Sequence, residues 1–114
     1  MFNFNWSATE KKVARTLYDA ALQTELAQIM VEFKRLAAAA AEPSDMWDLE
    51  DWLLDKRRAF DEKYDYRYSV LIGVFGRLLA QGRVTLAQLA PLQADKVAAI
   101  KHTADWIQAN MHKE

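Results

Sequence analysis

Between residues 18 and 40 the apolar side chains recur with a helical period: Tyr18, Leu22, Leu26, Ile29, Phe33, Leu36 and Ala40, at steps of 4, 4, 3, 4, 3 and 4. Steps averaging near 3.5 residues put all of them on one seam of a helix that lies along another helix. The helix has readable ends. Ser7 and Glu10 are spaced as a capping box, in which each side chain satisfies a backbone donor of the first turn. Glu42-Pro43 stops it near Ala41, because the residue before a proline is pushed out of the α region. Ala37 to Ala41 raise helix propensity on the way.

The rest of the chain reads as helix too. Ser44 or Asp45 caps a second helix. Met46, Leu49, Leu53 and Phe60 give it one apolar stripe, and Trp47, Asp51, Leu54 and Arg58 give a mixed one. Trp52 and Ala59 lie on a third line. A helix that is apolar on more than one side is sandwiched, within its own domain or between subunits. The pattern changes phase near Lys63-Tyr64-Asp65-Tyr66, which predicts a break. A third helix is expected over about 66–81, ended by Gly82 in the left-handed conformation. Gly73 and Gly76 weaken that helix by about 1 kcal/mol each relative to alanine, so they imply close packing or a flexible tip. Thr85 and Gln88 form a second capping box, with Val84 placed to staple to Leu89. Pro91 is read as opening the last helix, whose face runs through Leu92, Val97, Ile100, Thr103, Trp106, Ile107 and Met111. Only Tyr64, Tyr66 and Tyr68 alternate as a strand would, and the run is too short to count. The expected class is all-α.

Composition narrows the function. A length of 114 residues suits one domain. Four Trp, four Tyr and five Phe are more than a small helical protein can hide, which suggests an apolar interface. Phe2, Phe4 and Trp6 are unusual for a solvated tail and are expected against the domain or a partner. A net charge of −1 provides no field toward nucleic acid or an acidic membrane. Lys56, Arg57, Arg58, Lys63 and Arg67 form the one basic cluster, but Asp51, Asp55, Asp61, Glu62 and Asp65 lie within a turn or two. That balance favours a solvated, paired face over a nucleic-acid groove. With no cysteine, disulfide and thiolate chemistry are excluded. No signal peptide is read at the N-terminus. The longest apolar run, from Val70, falls short of the ~20 residues of a membrane helix. A cytoplasmic protein is expected.

Catalysis finds little support. His102 and His112 lie ten residues apart, without the ligand spacing of a metal site or a Glu-x-x-His motif. Asp45, Asp48, Glu50, Asp51 and Asp55 crowd the first half of the second helix, where the helix dipole welcomes negative charge. They could serve an enzyme or ligand-binding bundle, but no nucleophile accompanies them. No enzyme, cofactor or metal is expected. Trp47, Asp51 and Arg57 fit better as an interface anchor: a large apolar area beside a directional polar pair.

At these residues the sequence resembles the fluorescence recovery protein family. The likeness runs through Trp47-x-Leu49-x-Asp51-Trp52-Leu53, Lys56-Arg57, Asp61, Lys63-Tyr64-Asp65-x-Arg67-x-Ser69-Val70, Ile72, Val74-Phe75, Leu78-Leu79 and Gly82. Weaker echoes follow at Val84, Leu89, Asp95-Lys96 and Ile100-Lys101. The resemblance implies a homodimer of long antiparallel helices, a stalk over about 8–64, with a smaller helical head over about 65–112. It implies a non-enzymatic photoprotection regulator. Such proteins bind the photoactivated orange carotenoid protein and speed its return to the resting orange form. The positions of Trp47, Asp51 and Arg57 are then dimer and partner interface. Three positions depart from the family pattern. Glu50 stands in place of a histidine in that interface, Gly73 in place of an exposed aromatic of the head, and Ala99 in place of a basic residue. Gly73, Phe75 and Ala99 mark the expected head contacts. The alternative is a relative of the family that dimerises but serves a different, unidentified protein partner.

Overall fold

The computed structural model describes residues 4–111, so the expectations for Phe2 and His112 lie outside the described residues. Five helices follow one another: α1 (Ala8–Ala39), α2 (Asp45–Lys63), α3 (Leu71–Ala80), α4 (Leu86–Leu89) and α5 (Ala94–Met111). Among the described residues there is no strand, and the all-α class holds.

The chain divides into two compact units. One, here the head, comprises residues 1–21 and 65–114; the other, here the hairpin, comprises residues 22–64. The long helix α1 belongs in part to each.

The head contains the hydrophobic core. α1 contributes Ala14, Tyr18 and Ala21, α3 contributes Leu71, Ile72, Val74, Phe75 and Leu78, and α5 contributes Ile100 and Ala104. Val84, Leu89 and Leu92 close it from the connecting segment. Burying each large side chain stabilises by roughly 1.5–3 kcal/mol, so this cluster dominates the head's stability. α3 packs chiefly on α5. Gly76 makes that approach possible: a Cβ there would sit 2.5 Å from Thr103 Cγ2. Thr103 cannot easily turn away, because its hydroxyl donates to the Ala99 carbonyl at 3.0 Å. Gly73, by contrast, has nothing within 4 Å of where its Cβ would be.

Both capping boxes form. Ser7 N–H donates to Glu10 at 3.0 Å and Glu10 N–H to Ser7 Oγ at 3.1 Å, and Thr85 and Gln88 exchange the same pair. Gly82 adopts φ of 73°, and Arg83 N–H donates back to the Leu78 carbonyl, which ends α3 as a left-handed cap. Glu10 does more than cap. Its second oxygen accepts from Gln93 N–H at 2.9 Å, and Lys96 Nζ lies 3.1 Å from the first. Lys96 is 1% exposed and lies beneath the rings of Phe4 and Trp6. Burial pushes the Glu10 pKa upward, but the N–H groups of Gln93 and Ser7, then Lys96, outweigh it and hold the carboxyl at about 2.

Three expectations about element ends are corrected. α3 begins at Leu71 rather than near residue 66. The preceding segment instead packs its rings, with Tyr66 4.8 Å from Tyr18 and 5.6 Å from Tyr68, and Tyr68 5.9 Å from Trp6. Arg15 lies over Tyr66 at 4.5 Å, and burial, then the neighbouring Tyr68 hydroxyl, push the Tyr66 phenol up to about 12. Pro91 sits in a turn between α4 and α5, and α5 starts at Ala94. Neither candidate caps α2 through its side chain. Asp45 instead accepts from Ala41 N–H and Glu42 N–H, both at 2.9 Å, closing the loop backward.

Two outcomes test this packing. Gly73→Ala should raise stability by about 1 kcal/mol, whereas Gly76→Ala should lower it by roughly 1–3 kcal/mol through overpacking, both read from urea unfolding. Glu10 also gives stability a pH dependence. Its folded pKa lies below the usual carboxylate value, so its contribution is complete above that value and is lost as pH falls toward 2. Thermal unfolding between pH 5 and pH 2 should show this loss, and Glu10→Gln should be less stable at pH 7 and flatter across the same range.

Candidate protein-interaction surface

The hairpin differs from the head in one respect that decides its chemistry. Of residues 22–64, only Lys63 is buried. The apolar seam of α1 does face α2, but it is not sealed. Leu22, Ile29, Phe33 and Leu36 are half-buried, while Leu26 and Ala40 are exposed. Two clefts separate the helices. One, of about 290 Å³, is lined by Leu36, Ala39, Ala40, Asp45, Asp48, Leu49 and Trp52. The other, of about 340 Å³, is lined by Leu26, Ile29, Leu53, Lys56, Arg57, Phe60 and Asp61. The order of these residues shows the two helices running antiparallel.

Beyond the clefts, Met30, Val31, Met46, Trp47 and Leu54 are exposed, with Val31 at 67% and Trp47 at 63%. Large apolar side chains left exposed on both helices of one unit are what an interaction surface would present. Its ionic decoration is local. Arg57 pairs with Asp61 at 3.7 Å and Arg58 with Asp55 at 3.8 Å, and Lys56 Nζ lies 5.5 Å from the Trp52 ring. In the head, Arg67 pairs with Asp65. Arg57, Arg58 and Arg67 of the basic cluster are thus paired within a turn, as the sequence suggests.

The open end of the hairpin is held by a polar clip. Lys63 Nζ forms an ion pair with Glu25, and the Tyr64 hydroxyl donates to the same carboxylate at 2.8 Å. Sequence reading placed Lys63 on the solvated basic face. It is in fact 6% exposed. It also missed the buried Glu10–Lys96 pair. Each partner lies far along the chain, so local spacing carries no sign of either pair. The Asp95-Lys96 echo of the family pattern was the one available hint.

The residues singled out from sequence fall into two groups. Trp47, Glu50, Asp51 and Arg57 all lie exposed on α2, and within the chain the guanidinium is paired with Asp61, not Asp51. Gly73 and Phe75 lie on α3 and Ala99 on α5. Gly73 is exposed, Ala99 is half-buried, and Phe75 is wholly buried and offers no surface of its own. Among the described residues, no group of three or more His, Cys, Asp or Glu side chains could hold a metal ion. Among the same residues, no helix is long and apolar enough to cross a membrane.

Comparison with known proteins agrees with this picture. Residues 6–104 match the family described as photoprotection regulator fluorescence recovery protein. The fluorescence recovery protein of Synechocystis sp. PCC 6803 is 39% identical over 99 residues, spanning 87% of this chain and 91% of that protein. The solved structure of that protein superimposes with a TM-score of 0.84, covering 89% of this chain and 99% of the other. The fluorescence recovery protein of Fremyella diplosiphon gives the same TM-score at 35% identity, again over 89% and 99% of the two chains. The fold is that of a small all-helical protein, and the family it matches is described as a regulatory one. The chain belongs to the fluorescence recovery protein family, a family of photoprotection regulators.

The clip yields a graded test. Tyr64→Phe removes one hydrogen bond and should cost about 1 kcal/mol. Glu25→Ala leaves the Lys63 charge buried without its carboxylate and should cost roughly 3 kcal/mol or more. Urea unfolding followed by far-ultraviolet circular dichroism reads both.

Proposed function

We propose that two copies of this protein close their hairpins on each other, and that the dimer binds the photoactivated orange carotenoid protein and accelerates its return to the resting form. The observation that carries this reading is the apolar surface of the hairpin in a chain that belongs to this family. Exposed Trp47 supplies the anchor, with Glu50 and Asp51 about one turn on and Arg57 further along the same helix. An indole gives large contact area for little lost entropy, and flanking charges set register and exclude wrong partners. The setting is the cytoplasm.

The effect on rate must come from differential binding. A regulator that binds the activated and resting forms equally changes nothing. It must hold the transition state between them more tightly than the activated form itself. Gly73, Phe75 and Ala99 then belong to the head's contribution. Phe75 acts from the core, by fixing where α3 lies, since its side chain reaches no surface. Gly73 presents bare backbone, and Ala99 carries no charge.

That same pair favours the second reading, in which the dimer serves a different protein. Recovery of the carotenoid protein separates the two. Photoactivated carotenoid protein is followed by visible absorbance in the dark, with and without this protein. The first reading expects faster recovery that saturates with added protein. No acceleration, together with no co-elution of the two proteins, would reject it in favour of the second.

Trp47→Ala should weaken the dimer by about 2 kcal/mol, a roughly 30-fold rise in dissociation constant. Sedimentation equilibrium measures it. An unchanged constant would remove Trp47 from the interface.

A further inference from the structure

We infer that the two units are ordered by different means: the head folds on its own residues, whereas residues 22–64 hold their helical order only while a second copy covers them. This deepens the dimer reading, because it makes association the condition for the hairpin's structure and not only for its assembly.

The distribution of burial is the first ground. Every buried apolar side chain among the described residues belongs to the head. In the hairpin the one buried group is an ammonium, Lys63, and its partner Glu25 has had to be desolvated with it. A buried ion pair sets register, but the cost of removing both charges from water cancels much of its attraction. The state of the seam is the second ground. Grooves of about 290 and 340 Å³ run between α1 and α2 and are open to solvent, and Leu22, Ile29, Phe33 and Leu36 beside them are only half-buried. Apolar side chains left half in water give a pair of helices less stabilisation than a sealed seam would.

The third ground is helix–coil physics. Most of a helix's stability in a protein comes from tertiary packing of its apolar face rather than from propensity. Local support in the hairpin comes from pairs one turn apart, Arg35 with Glu32, Arg57 with Asp61, Arg58 with Asp55, Lys56 with the Trp52 ring and Phe60 with Tyr64, and such pairs are individually weak. α1 makes the contrast within a single helix. Its first turns bear the capping box, the Glu10–Lys96 pair and the buried faces of Ala14, Tyr18 and Ala21. Beyond Ala21 it has no buried residue. Protection against exchange should therefore end partway along an unbroken helix.

The occupant is a second copy because the exposed surface is already self-sufficient in kind. Both helices offer apolar knobs (Met30, Val31, Met46, Trp47, Leu54) beside apolar clefts. A two-fold pairing of identical surfaces can supply both to each other.

Native-state hydrogen–deuterium exchange on the full chain, read by mass spectrometry over a hundredfold range of concentration, tests the inference. Sedimentation velocity runs on the same samples. If hairpin opening requires dissociation, amides of 22–64 should exchange roughly threefold more slowly for each tenfold rise in concentration, because the monomer fraction falls as its square root. Amides of 71–104 should not respond. A dimer whose hairpin exchange ignores concentration overturns the inference and leaves the dimer standing. A chain that sediments as a monomer with an unprotected hairpin upholds the inference and rejects the dimer at those concentrations. A monomer with a protected hairpin overturns both.

Discussion

Residues 22–64 carry apolar side chains on both helices and have no interior to put them in. The constraint is geometric. Two helices meet along one line, and each can turn only one narrow stripe toward the other. α2 is apolar on more than one side, and its Met46, Trp47 and Leu54 lie exposed. α1 adds Met30 and Val31 outside its seam. No rearrangement of a two-helix hairpin hides all of these. The surplus explains why the clip is polar, why the clefts stay open, and why the unit's chemistry is that of a surface awaiting a partner. The dimer proposed above answers this constraint.

The head shows the opposite condition. Four helical segments, the start of α1 with α3, α4 and α5, surround one core, and its buried Glu10 and Lys96 are paired. Glu10 is the clearest case. One carboxylate caps α1, receives the first N–H of the α5 approach at Gln93, and neutralises Lys96. A carboxylate with three such partners stays charged although buried, which its depressed pKa reflects. The aromatic row from Trp6 through Tyr68 and Tyr66 to Tyr18 then fixes the segment that leads into α3.

Much of this was legible in the sequence, and the parts that were not share a cause. The helix class, the seam of α1, both capping boxes and the terminating Gly82 follow from short-range spacing, which a sequence displays directly. The late start of α3 was hidden because Tyr66 and Tyr68 are drawn off by Tyr18 and Trp6, far away in the chain. Pro91 suits a first helical turn, yet the backbone there is used to deliver Gln93 N–H to Glu10. The Lys63–Glu25 and Lys96–Glu10 pairs depend on residues brought together only by folding. Gly73 and Gly76 look equivalent in sequence, and only Thr103 tells them apart. For the surface itself, periodicity showed that α2 is apolar on several sides, and the structure showed that its Trp47 faces solvent within one chain.

The most direct test is the mass of the protein in solution. Multi-angle light scattering on a sizing column, at micromolar concentration and ordinary salt, measures it without reference to any partner. If the hairpin's apolar faces are closed by a second copy, the peak will have twice the 13.1 kDa of the chain. A peak at 13.1 kDa would show that the chain tolerates those faces in water, and would contradict the account.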